Sequence, residues 1–158
     1  MRPADAPHLR RAITLAAQAR AAGQGAFGAV ILAADDTKLA EAGNATASTG
    51  DPTAHAEMAA IRAVAARHGA AALAGATLYA STEPCAMCAA AAYVSGIGRV
   101  VFGLREADLP RARGGPLPWH PLQLPAAEVA ARGRRPMRVE GPFLEAEAVM
   151  PHAGLGGA

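Results

Sequence analysis

The stretch ATLYASTEPCAMCAAAAYVSGIGRVVF, residues 76–102, decides the fold. Residues 76–80 are apolar and suited to an extended backbone, which predicts a buried strand. Pro84 predicts the start of an alanine-rich helix that runs to about Val94. Residues 97–102 predict another strand. A strand, a helix and a strand in direct succession are typical of a layered α/β domain.

The same alternation of helices and strands extends in both directions from this stretch. Upstream we predict a helix over residues 8–22, strands over 27–32 and 38–42, a small polar loop over 43–50, and a helix that begins at Asp51-Pro52 and runs to about Arg67. Downstream we predict a loop over 114–125, a short helix over 126–132, a strand near 137–140 and a last helix over 142–150. The tail, residues 152–158, is expected to fray, with His152 solvated. We find neither an internal repeat nor a boundary between domains, so we expect one domain over residues 1–158.

The composition excludes several classes of protein. The chain has 158 residues, with 15 Lys+Arg against 13 Asp+Glu and a net charge of +2. This length suits one domain with a hydrophobic core. A net charge this small excludes a function that depends mainly on attraction to a highly charged partner. No run of apolar residues approaches the length of a membrane span. Because residues 1–12 lack the apolar core of a secretory signal, we expect a cytoplasmic protein without membrane association.

Two short fragments carry the residues best suited to chemistry, HAE at residues 55–57 and PCAMC at 84–88. One imidazole and two thiolates are common ligands of zinc, and cysteines at i and i+3 share one side of a helical turn. Three protein ligands leave one position of a tetrahedral zinc ion for water, as in catalytic sites. The alternative is a surface histidine and a separate redox-active C-x-x-C motif.

Glu57 lies two residues after His55, which sets a geometric condition on any shared site. Within a helix the two side chains would point about 200° apart. They address one centre only if that centre lies over the start of the helix. Glu57 is then placed to carry protons to and from a water molecule at the metal centre; the alternative is an exposed helix glutamate.

Four fragments carry a resemblance to a known family: GAFGAVI at 25–31, GNATASTGDPTAHAEMAAIR at 43–62, TLYASTEPCAMC at 77–88 and IGRVVFGLR at 97–105. They resemble the cytidine and deoxycytidylate deaminase superfamily, and within it the branch of guanine deaminases and tRNA adenosine deaminases. The order H-x-E followed by P-C-x-x-C is a signature of zinc deaminases. The resemblance covers about residues 8–105 and leaves 106–158 as a variable segment. It implies a three-layer α/β/α sandwich around a mixed five-stranded sheet, assembled as a homodimer or a larger oligomer.

The resemblance also implies roles for individual residues. The implied roles are zinc ligation by His55, Cys85 and Cys88, proton transfer by Glu57, hydrogen bonding to the substrate ring by Asn44 and the backbone N–H of Ala56, and lining of the base pocket by Phe27. Asn44 has the alternative of capping a turn, and Phe27 that of filling the core. Trp119 and His120 lie in the loop where relatives vary their specificity, so we expect a lid over the pocket, with surface packing as the alternative. For Glu83 we expect a capping or supporting role.

The sequence leaves the substrate open between two classes. GAFGAVI favours a free amino-substituted base, as in the guanine deaminases of purine metabolism, although cytosine, isoguanine-like bases and amino-triazines fit the same chemistry. DPTAHAE and IGRVVFG favour the wobble adenosine of tRNA, as does the basic segment 99–138 with its eight Arg and three acidic residues. We favour a free base, because the chain lacks the basic, aromatic-bearing final helix of tRNA editors. A non-catalytic zinc scaffold is the third hypothesis.

Overall fold

A computed structural model describes residues 1–156 of the chain. The helices are α1 (Asp5–Ala21), α2 (Thr46–Thr49), α3 (Ala56–His68), α4 (Ala86–Val94), α5 (Leu109–Arg113), α6 (Ala126–Ala131) and α7 (Glu145–Val149). The strands are β1 (Gly28–Leu32), β2 (Lys38–Gly43), β3 (Thr77–Thr82), β4 (Arg99–Leu104) and β5 (Arg138–Glu140). Short 3-10 turns cover Ala70–Leu73, Glu106–Asp108 and Met150–His152.

The five strands form one sheet in the order β2-β1-β3-β4-β5. β1 is antiparallel to both β2 and β3, whereas β3, β4 and β5 run parallel. Parallel neighbours need a crossover connection, and α4 supplies the one between β3 and β4. The structure therefore confirms the mixed five-stranded sheet expected from the resemblance.

Helices cover both faces of the sheet. Neighbouring residues of the central strands point to opposite sides, so each face has its own core cluster. Ile31 and Leu78 pack with Val64 of α3 in one core cluster. Val30 and Tyr79, one position away along the same strands, pack with the other cluster, which includes α1 and α7. These two clusters confirm the predicted α/β/α sandwich.

Gly28 shows how closely α1 approaches the sheet. A Cβ atom added there would overlap the carbonyl oxygen of Ala12. Any side chain at this position would push α1 away from β1, so glycine permits the close packing of these two elements.

A buried ionic cluster ties α1 to β4 and β5. The Arg99 guanidinium donates to both carboxylate oxygens of Asp5, at 2.8 and 2.9 Å. It also donates to both oxygens of Glu140, at 2.9 and 2.6 Å. Tyr79 adds a hydrogen bond from its hydroxyl to Asp5 at 2.9 Å. Arg99 is the first residue of β4, so the cluster lies at the amino end of that strand. The residues that follow β4 lie at its other end.

The predicted helix start at Asp51-Pro52 is wrong, since α3 begins at Ala56. The Asp51 carboxylate accepts hydrogen bonds from the backbone N–H and the hydroxyl of Thr53, at 2.8 and 2.7 Å. Such a local turn competes with the helical conformation, so the helix begins further along the chain. The polar loop predicted over residues 43–50 contains the single-turn helix α2, Thr46–Thr49.

The expectation of a solvated His152 is also wrong. This side chain is fully buried, because the chain after α7 continues into a 3-10 turn that packs against α1 and α5. Residues 157 and 158 of the tail that we expected to fray lie outside the described residues. Within residues 1–156, no helix combines the length and the hydropathy that crossing a membrane requires.

Candidate active site

Two helix starts converge to form the site. His55 occupies the N-cap of α3 with an extended backbone (φ −66°, ψ 156°), and Glu57 lies in the first turn of that helix. Cys85 occupies the N-cap of α4 in a similar conformation (φ −60°, ψ 168°), and Cys88 follows in its first turn. Because His55 stands just outside the helix, it and Glu57 can face one centre although they are two residues apart.

The distances among the three candidate ligands fit a zinc ion. The Nδ1 atom of His55 lies 3.7 Å from Sγ of Cys85 and 3.5 Å from Sγ of Cys88. All three ligand atoms lie within 4.8 Å of one another. Tetrahedral zinc with ordinary bond lengths places nitrogen and sulfur ligands about 3.6 Å apart. The donor set and its spacing therefore fit zinc, as the sequence predicted.

The electrostatics of the site favour a thiolate ligand. A hydrogen bond from Cys88 and the neighbouring His55 hold the pKa of the Cys85 thiol at about 4. The position of Cys85 at a helix N-terminus acts in the same direction, since free N–H groups there stabilise negative charge. His55 and Cys85 are half-buried and Cys88 is buried, so a bound ion would be shielded on one side and reachable from the other.

Glu57 has the environment expected of a proton carrier. Its side chain is only 7% exposed. Burial raises the pKa of its carboxyl to about 7. A carboxyl group with a pKa near neutrality can both take up and release a proton, which is the property that general acid–base catalysis requires.

A cavity of about 270 Å³ opens directly onto His55, Glu57 and Cys85. Its apolar wall consists of Phe27, Leu109 and Trp119. Its remaining polar wall consists of Asn44, Thr46, Thr82, Glu83 and Glu106. A cavity just below the usual size range of ligand sites fits a small molecule.

Asn44 has one of the two roles that the sequence left open, the capping of a turn. Its Oδ1 atom accepts hydrogen bonds from the backbone N–H and the hydroxyl of Thr46, at 3.1 and 2.8 Å, so it caps the turn that starts α2. These donors fix the orientation of the side-chain amide, and its NH₂ group is left to donate to a ligand. Ala56 is buried, and its backbone N–H belongs to the first turn of α3, where N–H groups have no partner within the helix.

Phe27 and Trp119 form an aromatic corner of the cavity. Their ring centroids lie 6.2 Å apart in an edge-to-face arrangement, and the Arg113 guanidinium lies 5.3 Å from the Trp119 centroid. The structure thus places Trp119 in the wall of the cavity. His120 is exposed and does not line the cavity, because Trp119 occupies the position in this loop that turns back over Phe27.

Sequence reasoning missed His152, which supports this corner from behind. Its ring lies 5.3 Å from that of Phe27, and its Nε2 atom is 3.2 Å from the Thr82 hydroxyl. Burial, aided by the positive charges of Arg113 and Arg20, lowers the pKa of His152 to about 4. The ring is therefore neutral at pH 7. No local pattern marks this histidine, because the contact joins residues 70 positions apart.

Glu83 has the supporting role that we expected. Its two carboxylate oxygens accept hydrogen bonds from the backbone N–H groups of Ala126, at 3.1 Å, and Glu106, at 3.4 Å. It thereby ties the segment before Cys85 to two downstream loops. Glu106 and Leu109 were missed as pocket residues, although one rule indicates them: residues beyond the carboxyl ends of parallel strands gather at one edge of the sheet.

Comparison with known proteins agrees with this geometry. Residues 3–104 match the model of the cytidine and deoxycytidylate deaminase zinc-binding region. The chain is 39% identical over 153 residues to the probable cytosine deaminase of Schizosaccharomyces pombe, covering 96% of this chain and 91% of that protein. It is 42% identical over 105 residues to the guanine deaminase of Bacillus subtilis, covering 66% and 67% of the two chains.

A solved structure from a study of A-to-I editing by tRNA:A34 deaminases is also similar. It matches with a TM-score of 0.75 and 28% identity, over 92% of this chain and 99% of that one. The family match covers the zinc ligands, Glu57 and four of the five strands, and the site holds His55, Cys85 and Cys88 at distances that suit zinc. The chain therefore belongs to the cytidine and deoxycytidylate deaminase family of zinc-dependent hydrolytic enzymes.

Proposed function

We propose that this enzyme hydrolyses a small, free, amino-substituted heterocyclic base and releases ammonia. The observation that carries the proposal is the cavity beside the zinc ligands. It measures about 270 Å³, has an aromatic corner of Phe27 and Trp119, and includes no Lys or Arg among its lining residues. Such a cavity suits a flat, uncharged ring. Its described lining offers no Lys or Arg side chain to a phosphate group.

The residues divide the work of the reaction among them. Zinc, when bound, supplies a Lewis acid that lowers the pKa of a water molecule. Glu57 accepts a proton from that water and donates it to the ring nitrogen beside the amino-bearing carbon. The oxygen of the water bonds to the amino-bearing carbon, and Glu57 carries the second proton of the water to the amino group, which leaves as ammonia when the C–N bond breaks. The product carries oxygen in place of the amino group.

Asn44, Ala56 and the aromatic corner hold the ring in place for this transfer. The NH₂ group of Asn44 and the backbone N–H of Ala56 donate hydrogen bonds to a carbonyl oxygen or a ring nitrogen of the base. Phe27 and Trp119 contact the ring and exclude water from it.

Within this substrate class, cytosine and guanine are both candidates. The stretch GAFGAVI, residues 25–31, favours a guanine-like substrate. The similarity to the probable cytosine deaminase of S. pombe extends along 153 residues, well beyond the family motifs, and favours cytosine. Ammonia release from a panel of cytosine, guanine, isoguanine and amino-triazines, with cytidine and guanosine beside them, tests the proposal. Release from nucleosides alone would contradict it.

Deamination of tRNA wobble adenosine is the second candidate function. The similarity to a tRNA:A34 deaminase structure supports it, with a TM-score of 0.75. The positive charge of the basic segment 99–138 is weaker support, because some of its arginines are bound to other groups of this protein. Arg99 is paired with Asp5 and Glu140, and Arg135 donates to the backbone carbonyls of Ile97 and Tyr93. Inosine formation in an anticodon stem-loop, with no release from free bases, would favour this candidate.

A non-catalytic zinc scaffold is a third possibility, and the same assay addresses it. Bound zinc without ammonia release from any base, nucleoside or tRNA would favour a scaffold. We also propose the homodimer and the cytoplasmic location expected from the sequence. Light scattering on the purified protein tests the first, and a fluorescent fusion in cells tests the second.

A further inference from the structure

Three carboxyl groups line the cavity, and the contacts of two of them already indicate a role. Glu57 faces the zinc ligands from the first turn of α3. Glu83 uses both of its oxygens to bind the backbone N–H groups of Ala126 and Glu106. The third, Glu106, lies just beyond the end of β4, and within residues 1–156 its carboxylate accepts no hydrogen bond from another residue.

The position of Glu106 is fixed even though its carboxylate is free. Its backbone N–H donates to Glu83 at 3.4 Å, and Glu83 stands two residues before Cys85. Leu109, three residues further on, is 1% exposed and anchors the same segment in the core. These two contacts hold the backbone of Glu106 at the cavity wall and leave its carboxylate oxygens unused.

The hydrogen-bonding capacity of the cavity is therefore uneven. The Oδ1 atom of Asn44 is occupied by Thr46, so Asn44 can only donate. The hydroxyl of Thr82 is paired with His152. Beyond the catalytic Glu57, Glu106 is the strong acceptor that remains among the described lining residues.

We infer that Glu106 is a specificity-determining residue that accepts a hydrogen bond from a ring N–H of the free base. The inference rests on the proposed function and narrows it. A ring with a carbonyl oxygen or acceptor nitrogen toward Asn44 and an N–H toward Glu106 satisfies both groups. A base whose N–H is replaced by N-methyl or by ribose leaves the half-buried carboxylate without a donor and crowds it.

The electrostatic surroundings of Glu106 agree with this role. Burial, together with the nearby charges of Cys85 and Glu83, raises the pKa of its carboxyl to about 7. Among the described lining residues, no Lys or Arg side chain pairs with its carboxylate. Because a buried acceptor without a donor is costly, a ligand that brings an N–H group gains affinity there.

The test compares Glu106→Gln with Glu128→Gln, an exposed glutamate of α6 that does not line the cavity. The substrates are the base with the highest turnover, its ring N-methyl derivative and a C-methyl derivative of equal size. Glutamine keeps a neutral amide oxygen as acceptor in place of the charged carboxylate, and this weakening of the hydrogen bond lowers affinity by about 10-fold. We expect E106Q to raise KM for the free base by about that factor and to change kcat less than about threefold. The ratio of kcat/KM for the free base to kcat/KM for its N-methyl derivative should become smaller than in the wild type. E128Q should leave all values unchanged, and Glu106→Asp should retain part of the preference.

A binding measurement separates this inference from the proposed function. Each base is titrated into the zinc-loaded wild type and into E106Q by calorimetry. If the wild type deaminates a free base and E106Q keeps its KM, its affinity and its preference, the inference is wrong and the proposed function stands. If the wild type binds a base but releases no ammonia, the proposed function fails, and the loss of affinity in E106Q still decides the role of Glu106. Absence of base binding by the wild type overturns both.

Discussion

The Nδ1 atom of His55 lies 3.5 Å from the Sγ atom of Cys88, across 33 residues of sequence. His55 caps α3 and Cys88 lies in the first turn of α4, so this contact joins the starts of two helices. A metal ion that holds both side chains also holds the two helices together. Zinc binding is therefore coupled to the packing of α3 against α4.

Replacement of His55 tests this coupling. We expect His55→Ala to reduce bound zinc from about one ion per chain to a small fraction, because two thiolates alone hold zinc weakly. The melting temperature should fall as well, because the metal no longer links the helices. His68→Ala, at the exposed end of α3, is the matched control and should retain both zinc and stability. Equal zinc content in the two variants, measured by mass spectrometry, would contradict the assignment.

Glu57→Gln separates metal binding from proton transfer. Glutamine keeps the size of the side chain but cannot carry a proton, and Glu57 is not one of the three ligands. We expect unchanged zinc content and a loss of kcat of about 100-fold or more. Glu145→Gln, an exposed residue of α7, should behave as the wild type. Ammonia release close to the wild-type rate in E57Q would remove Glu57 from the mechanism.

Trp119→Ala tests the aromatic corner. Trp119 is 37% exposed and meets Phe27 edge to face, so its removal opens one side of the cavity. We expect KM for the base to rise by about 3-fold to 10-fold, with a smaller effect on kcat. Leu122→Ala, in the same loop but 71% exposed and outside this cavity, is the control. If both variants change KM equally, the effect belongs to the loop rather than to the indole ring.

The sequence predicts the metal centre well because its determinants are local. Cys85 and Cys88 share one helical turn, and His55 and Glu57 together require a centre over a helix start. The residue at which α3 begins was not predictable to that accuracy, because Asp51 and Thr53 form a competing turn. His152 escaped prediction altogether, since its burial depends on the packing of the tail against Phe27 and Thr82.

The same contrast holds for the buried ionic cluster, which no sequence pattern marks. Arg99 is 4% exposed and Asp5 fully buried, and the hydrogen bonds from Arg99 hold the pKa of Asp5 well below its usual range. Arg99→Met preserves much of the side-chain volume but leaves Asp5 with the half-exposed Arg2 as its one remaining guanidinium partner among the described residues. We expect the free energy of unfolding to fall by about 3–5 kcal/mol.

Urea denaturation measures this loss, and Arg111→Met provides the comparison. Arg111 forms an exposed pair with Asp108 at 3.4 Å. Its replacement should cost about 1 kcal/mol or less. A cost for R99M as small as that of R111M would show that the buried cluster contributes no more than a surface ion pair.

His152 predicts a specific dependence of stability on pH. Burial lowers its pKa from 6.5 to about 4 in the folded protein, whereas in the unfolded chain it titrates near 6.5. The unfolded state therefore binds more protons between these values, and the folded state loses stability as the pH falls from about 6.5 towards 4. Between pH 7 and pH 5 this one group should remove about 2 kcal/mol from the free energy of unfolding.

The variant His152→Gln isolates this contribution. All other titrating groups, including the zinc ligands, are shared with the wild type, so the two proteins should differ in how much stability they lose only through His152. We expect the variant to lose less stability than the wild type over this range, and the exposed control His68→Gln to lose as much. Equal losses in all three proteins, measured by urea denaturation at both pH values, would show that His152 takes up its proton while still folded.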